Sequence, residues 1–278
     1  MGNEQIALLF KGNIHPIDIP IEHTIKILRS YNSIIRRASG TLYGSQTKLD
    51  IRLEHVQSGS FDLSGIISII GGLQPIFPML PAISLGIENI PELIKKWFDL
   101  LKHLKGSPPV QVTQSGDGTN VQVTNRDGQV TVVHGNIYQS CVIADVGSLA
   151  QALQAPIQAG AKSLNLMREG KPIAEYSPED VKSFSPIKIV GEEVDTEIDA
   201  ILLVVSPILE GEGVWRFKYG SMNLVAKIQD VKYLEKVLNG IVSFKHGDRI
   251  VVRLRTLQRQ HGAKLMTTHY VTQVLEPK

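Results

Sequence analysis

Apolar and polar positions change period several times along the chain, and each change marks an element. Residues 5–10 form a short continuous apolar run and predict a buried strand. A loop with Gly12 and two prolines follows. Ile21, Ile25, Leu28, Tyr31, Ile35 and Ala38 then recur at helical spacing, with Gly40 as the expected stop. Residues 47–56 alternate. Leu49, Ile51 and Leu53 lie on one side, with Lys48, Arg52 and Glu54 among the polar neighbours, which predicts a half-buried strand. Together these make a small α/β domain over residues 1–60.

Residues 63–87 differ in kind: 25 positions without a charge, rich in Ile and Leu but interrupted by four glycines and three prolines. As one helix the run would be about 37 Å long at about 1.5 Å per residue, enough for a hydrocarbon layer of about 30 Å. Pro75, Pro78 and Pro81, with Gln74, oppose that. Proline kinks a helix, and broken backbone in lipid must be shielded by protein or line a water-filled path. The alternative is a buried hairpin or a subunit interface. The length of the uncharged run favours membrane. So does the amphipathic stretch 88–105, with Ile90, Leu93, Ile94, Trp97, Leu100, Leu101 and Leu104 opposite Lys95, Lys96, Lys102, His103 and Lys105. Residues 61–105 are therefore the membrane candidate. One short segment cannot make a pore. Several copies could, through Ile69, Gly71, Gly72, Gln74, Pro75 and Pro78.

After the break at residues 106–109, valines alternate with Gln, Thr and Asn at Val110, Val112, Val121, Val123, Val130 and Val132. This predicts a β-ribbon over 106–140, with turns at 116–118 and a two-residue hairpin at Asp127-Gly128. A ribbon of this size is poorly stable alone and suits oligomerisation. Residues 141–196 read as a helical linker, with a capped helix start at Ser177-Pro178. Over 197–278 the pattern is three strands, a helix over 230–239 with Asp230 as cap and Gly240 as stop, then two strands. That is the order of an OB-like small barrel. The whole is an α+β chain.

Composition adds little until charge is taken locally. Lys+Arg is 29 against Asp+Glu 27, so bulk charge argues for neither nucleic acid nor anionic membrane. Residues 215–278, however, hold 12 basic and 4 acidic residues, an excess of +8. Alternation puts Arg249, Val251, Arg253 and Arg255 on one strand face, with Ile250, Val252 and Leu254 towards the core, and Arg259 extends the basic row. Three arginines on one face need solvent, acidic partners or an anion, and their planar forks suit phosphate. Trp215, Phe217 and Tyr219 share a face opposite Arg216 and Lys218. They are either barrel core or a platform on which bases stack. With core aromatics, Arg216, Lys218 and the arginine strand still make a phosphate-binding surface.

Catalytic signatures are missing. No phosphate-binding loop, dinucleotide fingerprint, zinc-protease motif or nucleophile elbow is present, so neither an enzyme nor a cofactor is expected. The single cysteine, Cys141, excludes an internal disulfide, suits a reducing compartment and reads as a buried thiol. The eight histidines are scattered; His261 and His269 could share a hairpin, but no metal site is expected.

Set together, the α/β head, the uncharged Gly/Pro-rich segment, the Thr/Asn/Val ribbon and the basic OB-like tail resemble the membrane effector of the bacterial Hailong anti-phage system. The resemblance is architectural and transfers no residue. It implies a tetrameric ion channel in the bacterial inner membrane, facing the cytoplasm. A single-stranded oligodeoxyadenylate made by a partner nucleotidyltransferase would hold that channel closed. Two other classes compete. One is a cytoplasmic oligomeric scaffold whose apolar segment is a subunit interface and whose barrel binds nucleic acid or protein. The other is a phage structural protein, which the ribbon would favour.

Overall fold

A computed structural model of the chain describes residues 3–12, 14, 19–43, 48–53, 60–70, 89–115, 120–187, 194–207, 214–219, 222–243, 248–261 and 264–275. In chain order the elements are β1 (Asn3–Lys11), α1 (Ile21–Tyr43), β2 (Lys48–Leu53), β3 (Ser60–Ile70), α2 (Ile90–Leu104), β4 (Gln111–Gln114), β5 (Asn120–Thr124), β6 (Val130–His134), α3 (Gly135–Ile143), α4 (Val146–Ala150), a 3-10 turn (Gln151–Leu153), α5 (Gln154–Gln158), β7 (Ser163–Arg168), β8 (Lys171–Tyr176), α6 (Pro178–Lys182), β9 (Val194–Ser206), β10 (Val214–Tyr219), β11 (Met222–Ile228), α7 (Val231–Leu238), β12 (Arg249–His261) and β13 (Lys264–Leu275). They form two compact units. One comprises Met1–Ser107 with Ser140–Ile187, the other Pro108–Gln139 with Lys188–Lys278. The division falls inside α3.

The first unit is built on an antiparallel sheet in the order β2-β3-β1-β7-β8. Strand β1 buries Ile6, Leu8 and Phe10, and α1 buries Ile27, Tyr31, Ile34, Ile35 and Ala38. The Tyr31 hydroxyl donates to the Ile6 carbonyl at 2.8 Å. Helix α2 starts where the Asn89 side chain accepts from the Glu92 amide at 3.0 Å, with Pro91 in the first turn. Its apolar face, including Trp97, Phe98 and Leu101, is buried, and the Trp97 indole N–H donates to Ser140 Oγ at 3.0 Å. The rings of Phe98, Tyr176 and Phe184 meet at centroid separations of 5.0–5.7 Å.

Several sequence expectations change here. Helix α1 runs past Gly40 to Tyr43, because Thr41 and Leu42 continue its buried face. The stretch 141–196 is not a helical linker: it supplies β7 and β8 to the sheet. The uncharged run does not begin as a membrane helix either. Residues 63–70 belong to β3, paired with β1 on one edge and β2 on the other, and Ile69 stands opposite Leu49. A short apolar run does not by itself distinguish strand from helix, and here the ladder decides. What remains uncharged is 71–87, 17 residues with three prolines. That is at the lower end of the roughly 17–25 residues of a spanning helix. The amphipathic helix α2 turns its apolar face into the unit's own core rather than towards a lipid boundary. Among the described residues no helix is long and apolar enough to cross a membrane. Gly71, Gly72, Gln74, Pro75 and Pro78 lie outside the described residues.

One packing detail of this unit gives a test. A Cβ on Gly147, in α4, would lie 2.0 Å from the Ser185 carbonyl oxygen and 2.8 Å from Pro186 Cα. Neither atom can rotate away. Gly147→Ala is expected to destabilise the unit by about 1–3 kcal/mol, the usual range for overpacking, read from the midpoint of chemical unfolding.

The second unit holds the ribbon and the barrel. Strands β4-β5-β6 form a meander with Val112, Val121 and Val123 buried and Val130 and Val132 exposed. The β5–β6 connection is a five-residue loop rather than a two-residue turn. Asn125 Oδ1 accepts from the amides of Asp127 and Gln129, and Gly128 takes φ +76°. An Asx side chain that closes its own loop competes with the tighter turn. The barrel closes in the order β10-β11-β13-β12-β9, and its only parallel pair is β11 with β13. Helix α7 sits between the third and fourth barrel strands, giving the OB-like order. Asp230 caps it, accepting from the Tyr233 amide at 3.0 Å and, through its other oxygen, from the Val274 amide at 2.9 Å.

Candidate nucleic-acid interface

Strand β10 decides which of its faces meets solvent. Its pleat alternates, so Trp215, Phe217 and Tyr219 are buried while Arg216 is exposed and Lys218 half-buried. Trp215 and Phe217 stack at 6.0 Å, and the Tyr219 hydroxyl donates to Asn136 Oδ1 at 2.8 Å. The aromatics are therefore barrel core and cannot stack on bases.

Strand β12 alternates as its sequence predicts, with Val252 and Leu254 fully buried, Ile250 nearly so, and Arg249 and Arg253 exposed. Its arginines do not share one fate. Arg253 Nε meets Asp199 Oδ1 at 3.2 Å, and Arg255 grips Asp195 with Nη2 at 2.6 Å and Nε at 3.0 Å. Both acids lie on β9, the neighbouring strand. These pairs are solvent-exposed and each is worth only about 0.2–1 kcal/mol, but they set most of that charge against carboxylates. The charge count missed them because it began at residue 215. Strand β9 begins at Val194, and Asp195, Glu197 and Asp199 alternate along it. Counting from Asp195 adds five acids, and the excess of +8 falls to 12 − 9 = +3. The period-two acids were the available signal. Arg259 lies further along β12, paired in register with Met266.

What stays available is a smaller cluster. Lys218 and Arg249 both stand in register with Leu203 of β9, from the strands on its two sides. Two strand spacings of about 4.8 Å put their Cα atoms roughly 10 Å apart. Arg216 lies two residues along β10 from Lys218, on the same face. Among the described residues none of their three side chains makes a hydrogen bond or ion pair. Three cations on the two strands that flank β9 can each take a phosphate oxygen.

The barrel interior is partly polar at another place. Gln139 Nε2 donates to Thr256 Oγ1 at 2.9 Å, and Thr256 Oγ1 lies 3.0 Å from His269 Nδ1. Burial pushes the His269 pKa from 6.5 down to about 4. The folded state therefore holds the ring neutral at a pH where the unfolded chain protonates it. Stability is full above pH 6.5 and falls as pH drops from 6.5 towards 4, by about 3 kcal/mol at most. Urea midpoints at pH 7 and pH 5 measure this, and His269→Gln is expected to flatten the difference.

Burial, and then the charge of Asp145, push the Cys141 thiol up, out of the range of a nucleophile. His261 pairs with Lys264 and His269 with Thr256, so the hairpin does not bring the two histidines together. Among the described residues no group of His, Cys, Asp and Glu is arranged to hold a metal. Compared with protein-family models, with curated proteins and with solved structures, the chain matches none.

Proposed function

We propose that the chain binds single-stranded nucleic acid on the outer face of its C-terminal barrel, through Arg216, Lys218 and Arg249. The observation that carries this is the unpaired trio across β10 and β12 of a closed OB-like barrel, an architecture that carries oligonucleotides on its second and third strands. The contacts are to phosphate, so binding is salt-dependent and tolerant of sequence. Arg253 and Arg255, held by Asp199 and Asp195, do not contribute. Anisotropy titration of a labelled single-stranded oligonucleotide at several salt concentrations tests it.

A second reading places this binding in a membrane effector of anti-phage defence: a homotetrameric channel in the bacterial inner membrane, gated by DNA from a partner nucleotidyltransferase. It rests on the architectural resemblance, and the observation favouring it is the uncharged run 71–87. A ligand that binds the closed assembly better than the open one keeps it closed. Fractionation of expressing cells separates the readings. The channel requires the full-length chain in the membrane pellet, released only by detergent. A scaffold with an apolar subunit interface stays in the supernatant.

A further inference from the structure

The first unit carries a cleft that the barrel reading does not use. It has a volume of about 460 Å³ and lies between the N-terminal half of α1 and the short helical turns from Ser148 to Gln158. On one wall His23, Lys26 and Arg29 project from α1 at spacings of three residues, one stripe of the helix. On the other, Gln151, Gln154 and Gln158 recur at helical spacing. Ser30 and Ser148 add hydroxyls, and no carboxylate is among the lining residues. The side chains of His23, Lys26 and Arg29 are exposed and, among the described residues, make no ion pair or hydrogen bond. Gln154 is fixed from behind, its Nε2 donating to the carbonyls of Lys182 at 3.0 Å and Phe184 at 2.9 Å. That leaves the amide's orientation set before any ligand arrives.

From this arrangement we infer that the cleft binds a small organic phosphate monoester, independently of the barrel. The phosphate would sit against Lys26 and Arg29, where the guanidinium fork can take two oxygens and the ammonium a third. The glutamines and serines supply donors and acceptors for the hydroxyls of a sugar. Ala152 and Ala155 leave room beside them. The volume lies within the range of small-molecule pockets and far exceeds a lone phosphate ion. Apart from the His23 imidazole the walls carry no aromatic ring, so recognition is mainly of phosphate and sugar rather than of a base.

Isothermal titration of the full chain with a pentose phosphate, a nucleoside monophosphate and inorganic phosphate tests this, each repeated on Lys26→Ala/Arg29→Ala. Both positions are solvent-facing, and circular dichroism checks that the variant stays folded. Saturable binding of an organic phosphate, weakened about tenfold or more in the variant, is expected from losing two charge-assisted contacts. Gln151→Ala should weaken the organic phosphates while leaving inorganic phosphate unchanged. If inorganic phosphate binds as tightly as the esters, or the variant binds all three as the parent does, the assignment is overturned. No binding of any of the three overturns it as well.

Discussion

Trp215→Ala is expected to cost the barrel about 3–5 kcal/mol of stability, the usual range for deleting a buried tryptophan. The side chain is 1% exposed and stacks on Phe217 from within the closed barrel. Alanine leaves a void that neighbouring strands, fixed by ladders on both sides, cannot close. The same substitution distinguishes the two roles open to this residue from sequence. A stacking platform would lose oligonucleotide affinity with an unchanged unfolding midpoint. A core residue loses midpoint first, and any loss of affinity follows the fraction unfolded. Denaturant unfolding followed by Tyr and Trp fluorescence, with binding measured well below the transition, reads both quantities. The account requires a large drop in midpoint; an unchanged midpoint with lost binding would return Trp215 to the surface.

The second large effect concerns charge. Arg216→Ala/Arg249→Ala should weaken single-stranded oligonucleotide binding by about tenfold or more at moderate salt, since each removes a charge-assisted contact. It should also reduce the slope of log affinity against log salt by about 1.4, at about 0.7 per phosphate on a single strand. Both arginines are exposed and lack partners among the described residues, so folding is unaffected. Arg253→Ala/Arg255→Ala is the matched control. It removes the same formal charge, but from arginines already facing Asp199 and Asp195. That variant is expected to change affinity less than threefold or so, within the range of exposed pairs. The reverse ranking would move the ligand to the middle of β12, beside β9.

In the barrel, local sequence patterns transferred to the structure, whereas Gly40 did not stop α1 and Asp127-Gly128 did not make a two-residue turn. The five barrel strands, the capped helix between the third and fourth, and the alternation on β10 and β12 follow from period-two runs and from Asp230 and Gly240. Two kinds of information were not local. Apolar residues 63–70 carry no mark of their neighbours, and only pairing with β1 and β2 shows them to be a strand. The acids on β9 lie more than 50 residues before the arginines they meet, so a window of charge around Arg253 could not include them. The candidate site was thus legible in residue type but not in pairing, and Arg253 and Arg255, in the middle of the arginine row, are the ones set against carboxylates. Strands β7 and β8 were hidden for a similar reason. They complete a sheet begun more than 150 residues earlier, and their own alternation is weak.

The central claim is that nucleic acid lies across β10 and the start of β12. Ultraviolet cross-linking of the full chain to a single-stranded oligonucleotide with photoreactive bases, followed by mass spectrometry of the peptides, tests it most directly. The account predicts cross-links in peptides spanning 214–219 and 249–252, suppressed by competing unlabelled strand and by high salt. Cross-links confined to residues 1–107 or 140–187, or the absence of any that a competitor removes, would contradict it.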